Sequence, residues 1–290
     1  MKNLDLSTLP AKKRKQIVSC LRAGIQLLYF LFLPSVFTAA FNGVKYIFTQ
    51  IGQGEKIEMT AFVSALLLVC AFTIVFGRFF CGFACAFGSL GDAMHAIYGI
   101  ICKKRKKKPR RIKPELAKKL ALVKYGILLL IALCCFAGVY QKARGTSPWD
   151  VFSMLHAGNF RLSSYIPGIV LLVLILVGMF FEERFFCRFL CPMGAVFSLL
   201  PILPFFTLHR KRENCIRGCS ACTRQCPSAV ELPSNGSVEI SGDCFQCQKC
   251  IDTCPRMNIH CGLPGIKGNE VVLTLIRALI LLGLFIWLGI

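Results

Sequence analysis

The residues best suited to chemistry in this 290-residue chain are cysteines, which number 18 and recur at short, regular intervals. Two four-cysteine runs lie between residues 209 and 262. The second reads Cys-x2-Cys-x2-Cys-x3-Cys-Pro over 244–255, and the first, over 215–227, has the same form with one extra residue in its first interval. Thiolates at these spacings on a short loop can hold three corners of an iron–sulfur cube.

The two runs together predict two [4Fe–4S] clusters. In such paired runs the cysteine before the proline ligates the other cluster. The predicted ligands are therefore Cys215, Cys219, Cys222 and Cys254 for cluster 1, and Cys244, Cys247, Cys250 and Cys226 for cluster 2. Zinc is the main alternative, since Cys-x2-Cys pairs also bind zinc. Two complete runs that each end in Cys-Pro favour iron–sulfur clusters.

The segment between the runs predicts a β-hairpin. Residues 230–232 and 237–240 have strand character, and they flank a Pro-Ser-Asn-Gly turn at 233–236. Residues 209–262 are thus expected to form a small α+β domain with the layout of a two-cluster bacterial-type ferredoxin.

Two further cysteine pairs have the form Cys-x3-Cys: Cys81 with Cys85, and Cys187 with Cys191. They belong to an internal repeat, because the segment 78–88 recurs 106 residues later as 184–194 and begins with Arg-Phe-Phe-Cys each time. A spacing of four places two thiols on one face of a helical turn. We expect the four thiols to form one site that binds a further cluster or metal, or that cycles as a redox dithiol. The alternative is that they are small apolar residues in a packed helix end.

The repeat also places an arginine three residues before each pair, at Arg78 and Arg184. A nearby positive charge stabilises thiolate, the form that either a cluster or a redox dithiol needs.

The other cysteines and the histidines have no comparable spacing. Six cysteines are predicted to pack in the core: Cys20, Cys70, Cys102, Cys134, Cys135 and Cys261. No two histidines fall on facing apolar stretches, so no bis-histidine haem is expected. No Ser/Thr-Gly-Ala-Thr run for covalent flavin attachment is found. No acid–base or nucleophile constellation accompanies the cysteines either, so the chain is expected to carry electrons rather than to act as a stand-alone enzyme.

Long apolar stretches must position these cysteines. The chain is 55% hydrophobic, too apolar for an ordinary soluble enzyme. Five stretches approach the roughly 20 residues that cross a bilayer as a helix: about 20–41, 61–79, 120–140, 162–181 and 271–290. Too little polar sequence remains to cover them as buried helices of a soluble core. The first stretch is also longer than the roughly 7–15 apolar residues of a signal peptide. Lys124 and Arg277, near the starts of their spans, are expected to reach the membrane interface.

The orientation follows from the net charge of +21 and its distribution. Lysine and arginine concentrate at 12–15 and 103–119, whereas the loops at 42–60 and 141–161 are nearly neutral. Because positive loops stay inside, the N-terminus, the basic loop and residues 182–269 are predicted to be cytoplasmic and the C-terminus external. The basic run resembles a nucleic-acid patch. Its position between two spans favours topology control and attraction to anionic lipid instead, and no nucleic-acid partner is expected.

The predicted fold is an α-helical membrane protein with five transmembrane helices in a parallel two-hairpin repeat and an inserted ferredoxin domain. Each half reads span, external loop, span and Cys-x3-Cys, and then a shorter apolar stretch, 86–101 or 192–208, that we expect to be interfacial or re-entrant. The predicted segments are a basic N-terminus (1–19), repeat 1 (20–101), a basic loop (102–119), repeat 2 (120–208), the ferredoxin domain (209–262) and a C-terminal span (270–290).

Tandem membrane Cys-x3-Cys motifs followed by a two-cluster ferredoxin resemble the NapH/NosR-type membrane ferredoxins over about residues 20–262. That family includes the quinol-oxidising membrane subunit of periplasmic nitrate reductase and an accessory protein of nitrous oxide reductase. Three departures are evident: Ala86 replaces proline after Cys85, the extracytoplasmic flavin domain of the NosR type is missing, and a fifth span follows the ferredoxin. The missing domain argues against carrying over the NosR function.

The motifs and the resemblance together predict an electron carrier in the cytoplasmic (inner) membrane of a prokaryote. Single electrons would pass between a quinol or cytoplasmic donor and a redox partner protein. Two other classes stay open at this point. One is a redox assembly or maturation factor for a metalloenzyme, and the other is a membrane thiol oxidoreductase that uses the Cys-x3-Cys pairs.

Overall fold

The computed structural model describes residues 11–289 except 108, 110, 141–144, 161–162, 204–205, 234 and 263–269. Most of these residues are helical. The helices before the cysteine-rich insert are α1 (Ala11–Phe32), α2 (Val36–Gln53), α3 (Ala61–Phe76), α4 (Ala86–Lys104), α5 (Pro114–Leu120), α6 (Val123–Phe136), α7 (Pro148–His156), α8 (Ile166–Phe181) and α9 (Pro192–Leu199).

The insert contains both strands and helices, as predicted. It consists of β1 (Leu208–Lys211), α10 (Ala221–Gln225), β2 (Asn235–Val238), α11 (Lys249–Thr253) and β3 (Ile259–Cys261), and the chain then continues into α12 (Glu270–Trp287). The three strands form an antiparallel sheet in the order β2-β1-β3. The predicted hairpin is wrong: residues 230–233 form no strand, and β2 pairs with β1, which precedes the first cysteine run.

All five apolar stretches contain helix, but they differ in length. Among the described residues, two helices are long and apolar enough to cross a membrane: Glu115–Phe136, which joins α5 to α6, and α12. The bent pair α1 and α2 makes a third if it counts as one span. Helices α3 and α8 have 16 residues each, which is about 24 Å against a hydrocarbon core of about 30 Å. The described residues therefore form a helical protein with two or three candidate membrane spans.

The first span is not the continuous helix expected over 20–41. Helix α1 begins earlier, at Ala11, and ends at Phe32, and α2 leaves it at an angle of 62°. Pro34 lies at the break. Proline has no backbone N–H to donate, and its ring collides with the preceding turn, so the helix stops there.

The internal repeat is a repeat of local structure. Each half has one turn of π-helix, Phe80–Ala84 and Phe186–Leu190. Both turns end at the second cysteine of the pair in an extended conformation, with φ and ψ of −70° and 122° at Cys85 and of −72° and 115° at Cys191. The two cysteine N–H groups donate to the first carbonyl of the turn over 2.8 Å in both halves. A new helix, α4 or α9, begins at the next residue.

Aromatic side chains surround the two turns and join the halves. Phe79 stacks on Phe83 at a centroid distance of 4.5 Å. Phe87 of the first half lies 5.0 Å from Phe186 of the second, and both rings are buried. The cysteine turns thus belong to the main hydrophobic core, which holds their geometry.

Candidate functional site

The structure brings the four cysteines of the repeat together. Cys81, Cys85, Cys187 and Cys191 are each only 4–5% exposed. Each thiol lies within electrostatic range of the other three. We call this group the four-thiol site.

Two buried arginines cross between the halves at this site. Arg184 of the second half donates from Nη2 to the carbonyl of Gly82 over 2.9 Å and from Nε to Asp92 over 3.0 Å. Arg78 of the first half donates from Nη1 to Ser198 of the second over 3.3 Å. Asp92 and Ser198 occupy the same position of the repeat. Each arginine therefore binds the half to which it does not belong.

A glycine in each half leaves room for the arginine of the other. A Cβ on Gly88 would lie 2.5 Å from Nη1 of Arg184, and one on Gly194 would lie 3.0 Å from Nη2 of Arg78. Any side chain here would displace the guanidinium. This role of the two glycines was not predicted from the sequence, although they recur at the same position of the repeat.

Arg78 approaches the thiols closely. Its guanidinium is 1% exposed and lies within interaction range of Cys81 and Cys191. In the described part of the chain, its Nε and Nη2 make no hydrogen bond of ordinary length and angle. Buried donors normally have an acceptor, and the thiols of Cys81 and Cys191 are the nearby groups that can accept when they are ionised.

The second cysteine run of the insert lies directly on the first π-helical turn. A Cβ on Gly82 would overlap the carbonyl oxygen of Phe245 and would lie 3.6 Å from the Cα of Cys247. The Phe245 ring is covered by both arginines, with guanidinium carbons 4.8 Å (Arg78) and 5.8 Å (Arg184) from its centroid. Glycine is required at position 82 because two backbones meet there.

The predicted ligands of cluster 2 line one cavity, together with Cys222 of the first run: Cys226, Cys244, Cys247 and Cys250. Burial raises the pKa of Cys226 to about 11, with a contribution from Cys247, against backbone hydrogen bonds that lower it. Burial also raises the pKa values of Cys244 and Cys250 well above the ordinary thiol value. Buried thiolates need a cationic partner, and iron is one. The donor set that lines the cavity fits a cluster.

Three of the predicted ligands of cluster 1 take hydrogen bonds at sulfur. Asn258 donates its backbone N–H to the sulfur of Cys254 over 3.3 Å and its side-chain amide to that of Cys215 over 3.4 Å. Arg210 donates to Cys222 over 3.1 Å. Cys219 is half-buried at the turn after Cys215, and its thiol stays a predicted ligand. Asn258 and Arg210 carried no spacing signal in the sequence.

Among the described residues, no three His, Cys, Asp or Glu side chains are close enough together to hold a single metal ion. A cubane places its four thiolates farther apart than one ion does, because iron and sulfide atoms lie between them. The wider separation of these thiol groups is therefore compatible with a cube and not with a mononuclear site.

The six remaining cysteines differ in burial, although all were predicted to pack in the core. Cys102, Cys135 and Cys261 are buried, and Cys70 and Cys134 are half-buried. Cys20 is exposed, so the core-packing prediction is wrong for that residue.

The two spans with a charged residue near their start also differ from expectation. Lys124 and Arg277 were predicted to reach the interface, but each is only 2% exposed. Lys124 donates to Asp243 of the insert over 2.6 Å and to Ser198 over 2.8 Å. Arg277 donates to the sulfur of Cys261 over 3.2 Å. Both cations bind inside the protein because partners from the insert reach them.

The fold and these sites define a class, a helical membrane protein that carries a 4Fe–4S domain. Comparison with protein families supports this. A family model described as a 4Fe-4S binding domain matches residues 59–109 and 166–207. Those ranges contain both Cys-x3-Cys pairs and end before Cys215. No solved structure matches the chain.

Comparison with known proteins makes the class more specific. The uncharacterized protein MJ0750 of Methanocaldococcus jannaschii is 27% identical over 83% of this chain and 93% of its own length. YccM of Escherichia coli, named for a proposed role in electron transport, is 26% identical over 66% of this chain and 54% of its own. The ferredoxin-type protein NapH of Haemophilus influenzae is 25% identical over 66% and 64%. The predicted resemblance to the NapH/NosR-type membrane ferredoxins is confirmed.

Proposed function

We propose that this protein transfers single electrons at the cytoplasmic face of a prokaryotic inner membrane. Electrons pass between a quinol or cytoplasmic donor and a redox partner protein. The main support for this proposal is the contact of Gly82 with the backbone of Phe245 and Cys247. This contact places the second cysteine run of the insert directly beside the four-thiol site. The names of YccM and NapH, which refer to electron transport and to ferredoxin, support it.

The insert is proposed to hold two [4Fe–4S] clusters with crossed fourth ligands. Cluster 1 takes Cys215, Cys219, Cys222 and Cys254, and cluster 2 takes Cys244, Cys247, Cys250 and Cys226. The shared cavity supports cluster 2, and the hydrogen bonds of Asn258 support the pairing of Cys215 with Cys254 in cluster 1. When bound, each cube supplies a one-electron couple, and the chain's own N–H groups and arginines stabilise the thiolates.

The four-thiol site is proposed to bind a further iron–sulfur cluster. Its thiols are buried and mutually close, and the family model for a 4Fe-4S binding domain covers these cysteines. Arg78 lies within interaction range of the Cys81 and Cys191 thiols, and its positive charge stabilises the thiolate form that a cluster requires. Electrons then move between the four-thiol site, cluster 2 and cluster 1 in that order.

The membrane arrangement is proposed as predicted from the charge distribution. The N-terminus, the basic loop and the insert are cytoplasmic, and α12 leads outward. Helices α3 and α8 complete the five spans despite their length, since a bilayer thins locally around short apolar helices. The segment boundaries at 19, 101, 119, 208 and 262 follow this scheme. Reporter fusions after residues 107 and 262 should both report cytoplasm, and an external signal at either site would refute it.

Iron content and EPR of anaerobically purified protein test the clusters of the insert. Two cubes contribute about eight iron atoms. The substitution Cys247→Ser should remove about half of the insert's cluster signal, and the matched change Cys20→Ser, at an exposed cysteine outside every motif, should leave it unchanged. If zinc replaces iron in the wild-type protein, the electron-transfer proposal is wrong.

Single serine substitutions at Cys81 and Cys187 test the four-thiol site. Each should lower iron by about four atoms and abolish electron transfer through the membrane part, while the EPR signals of the insert persist. Cys134→Ser, in a span but outside the repeat motif, is the matched control. Full activity of both variants would indicate that the four thiols only pack in the core. A disulfide among them in the oxidised protein, without loss of iron, would favour the thiol oxidoreductase.

A further inference from the structure

The two cysteine runs of the insert differ in what surrounds them. Residues 244–248 of the second run are all buried, beneath α12 and the first π-helical turn. The first run is open, since Cys215, Cys219 and Cys222 are only half-buried. Cluster 2 has two buried ligands, Cys244 and Cys247, and cluster 1 has one, Cys254, so a soluble partner has readier access to cluster 1.

Exposed cations flank the predicted ligands of cluster 1 in the sequence. Lys211 and Arg212 precede Cys215, Arg217 follows it, and Arg256 lies two residues after Cys254; all four are exposed. Glu213 adds one exposed carboxylate between them. The charge around cluster 1 is therefore positive.

Two exposed apolar side chains lie among these cations. Ile216 is 48% exposed directly after Cys215, and Met257 is 41% exposed three residues after Cys254. Asn258 holds the two segments together, since its side chain donates to the carbonyl of Lys211 over 2.6 Å as well as to the sulfur of Cys215. The six side chains thus belong to one surface, which we call the basic face: Lys211, Arg212, Ile216, Arg217, Arg256 and Met257.

We propose that the basic face docks a small acidic electron-carrier protein of the cytoplasm. This inference rests on the proposed function and adds its partner. An apolar centre with a charged rim is the usual composition of a transient protein interface, and complementary charge speeds encounter more than it adds affinity. One electron crosses between the carrier's cofactor and cluster 1, one being oxidised as the other is reduced, and no bond forms or breaks.

An anionic membrane surface is the competing occupant for any basic patch. The basic face differs from a lipid site in that its cations surround two apolar side chains beside the predicted ligands of cluster 1. The exposed Lys103 and Lys104 at the end of α4 lie outside it. They provide a matched control, because reversing two charges there changes the net charge equally.

The test is stopped-flow reduction of the full-length, detergent-solubilised protein by reduced flavodoxin, an acidic one-electron carrier. The double variant Arg212→Glu/Arg217→Glu should lower the second-order rate by about tenfold or more, within the range of electrostatic steering. The control Lys103→Glu/Lys104→Glu should stay within about twofold of wild type on the same grounds. The wild-type rate should fall with added salt, and the rate of the double variant should not.

Two further measurements separate the apolar contribution to docking from the electrostatic one and check that the clusters are intact. Ile216→Ser should raise the flavodoxin concentration at half-saturation without changing the salt dependence, because it alters the apolar centre alone. Dithionite-reduced EPR signals should be the same in every variant, which shows that the clusters are intact.

Three outcomes would overturn the inference. Equal loss of rate in both double variants would indicate net charge rather than this face. An unchanged rate in Arg212→Glu/Arg217→Glu, with loss of binding to vesicles of phosphatidylglycerol, would assign the face to lipid. Absence of cluster signals in the wild-type protein would instead refute the proposed function, and the inference with it.

Discussion

The two halves of the repeat have the same backbone at their cysteine turns and different side chains around them. Both turns are π-helical, end in an extended cysteine and close with the same hydrogen bond. Two positions of the repeat differ in ways that the structure explains. When the halves are aligned, Gly82 corresponds to Arg188, and Asp92 corresponds to Ser198. The comparison teaches that the backbone builds a symmetric site, whereas side chains decide which half receives the insert.

Position 82 selects the docking half. Gly82 leaves space for the Phe245 carbonyl and the Cys247 backbone. Its counterpart Arg188 instead pairs with Glu182 at 3.6 Å and lies over the ring of Phe189. The insert binds the half that carries no side chain at this position.

Position 92 explains how the buried arginines are neutralised. Arg184 pairs with Asp92 at 2.5 Å, inside the repeat. Arg78 meets only a hydroxyl at the equivalent Ser198, and its carboxylate comes from Asp243 of the insert at 3.8 Å. The charge of Arg78 is therefore balanced by a carboxylate only when the insert is docked.

The largest effect is expected from Gly82→Arg, which copies the second half into the first. The new side chain must displace the backbone of Phe245 and Cys247. The insert should therefore undock from the first π-helical turn, with a destabilisation above the usual ~1–3 kcal/mol of overpacking. Hydrogen exchange of residues 244–248 should rise sharply. Gly99→Arg, at a helix position with open space around it, is the matched control. Unchanged protection in Gly82→Arg would contradict the docking role.

The next effect is expected from Asp92→Ser, which makes the first half resemble the second. It leaves the buried Arg184 without its carboxylate and also removes a partner of Lys249 at 3.5 Å. Losing one member of a buried ion pair costs about 3–5 kcal/mol. Thermal loss of cluster absorbance should occur at a clearly lower temperature. Ser198→Ala at the equivalent position should shift it far less, and equal shifts would show that the two positions are not distinguished by charge.

The smallest effect is expected from Asp243→Asn, combined with a pH series. Burial alone would raise the pKa of Asp243, but the hydrogen bond and charge of Lys124 and the charge of Arg78 outweigh it and hold the pKa below its ordinary value. The stabilisation is therefore complete above the unfolded pKa of about 3.9 and is lost as the pH falls through the lower folded value.

Because the Asp243 side chain is 52% exposed, its contribution should be about 1 kcal/mol or less. The protection factors of residues 244–248, corrected for the intrinsic exchange rate at each pH, should fall more steeply below about pH 4 in wild type than in Asp243→Asn. Parallel curves would show that Asp243 does not link the insert to the second half.

The sequence alone determined the cysteine runs, the repeated Cys-x3-Cys turns, the apolar stretches and the mixed α and β character of the insert. These features depend on residues a few positions apart, where spacing and helical period fix which side chains share a turn. The break after Phe32 could also have been predicted from the sequence, because Pro34 marks it. The continuous span expected over 20–41 did not take this proline into account.

Only the tertiary structure decided which distant residues meet. Strand β1 is four residues long and pairs with β2 across the whole first run, so local strand character at 230–232 pointed to the wrong partner. Arg184 reaches Gly82 across 102 residues, and Lys124 reaches Asp243 across 119. Such pairs follow from how packed elements approach one another, and spacing along a single chain does not encode that approach.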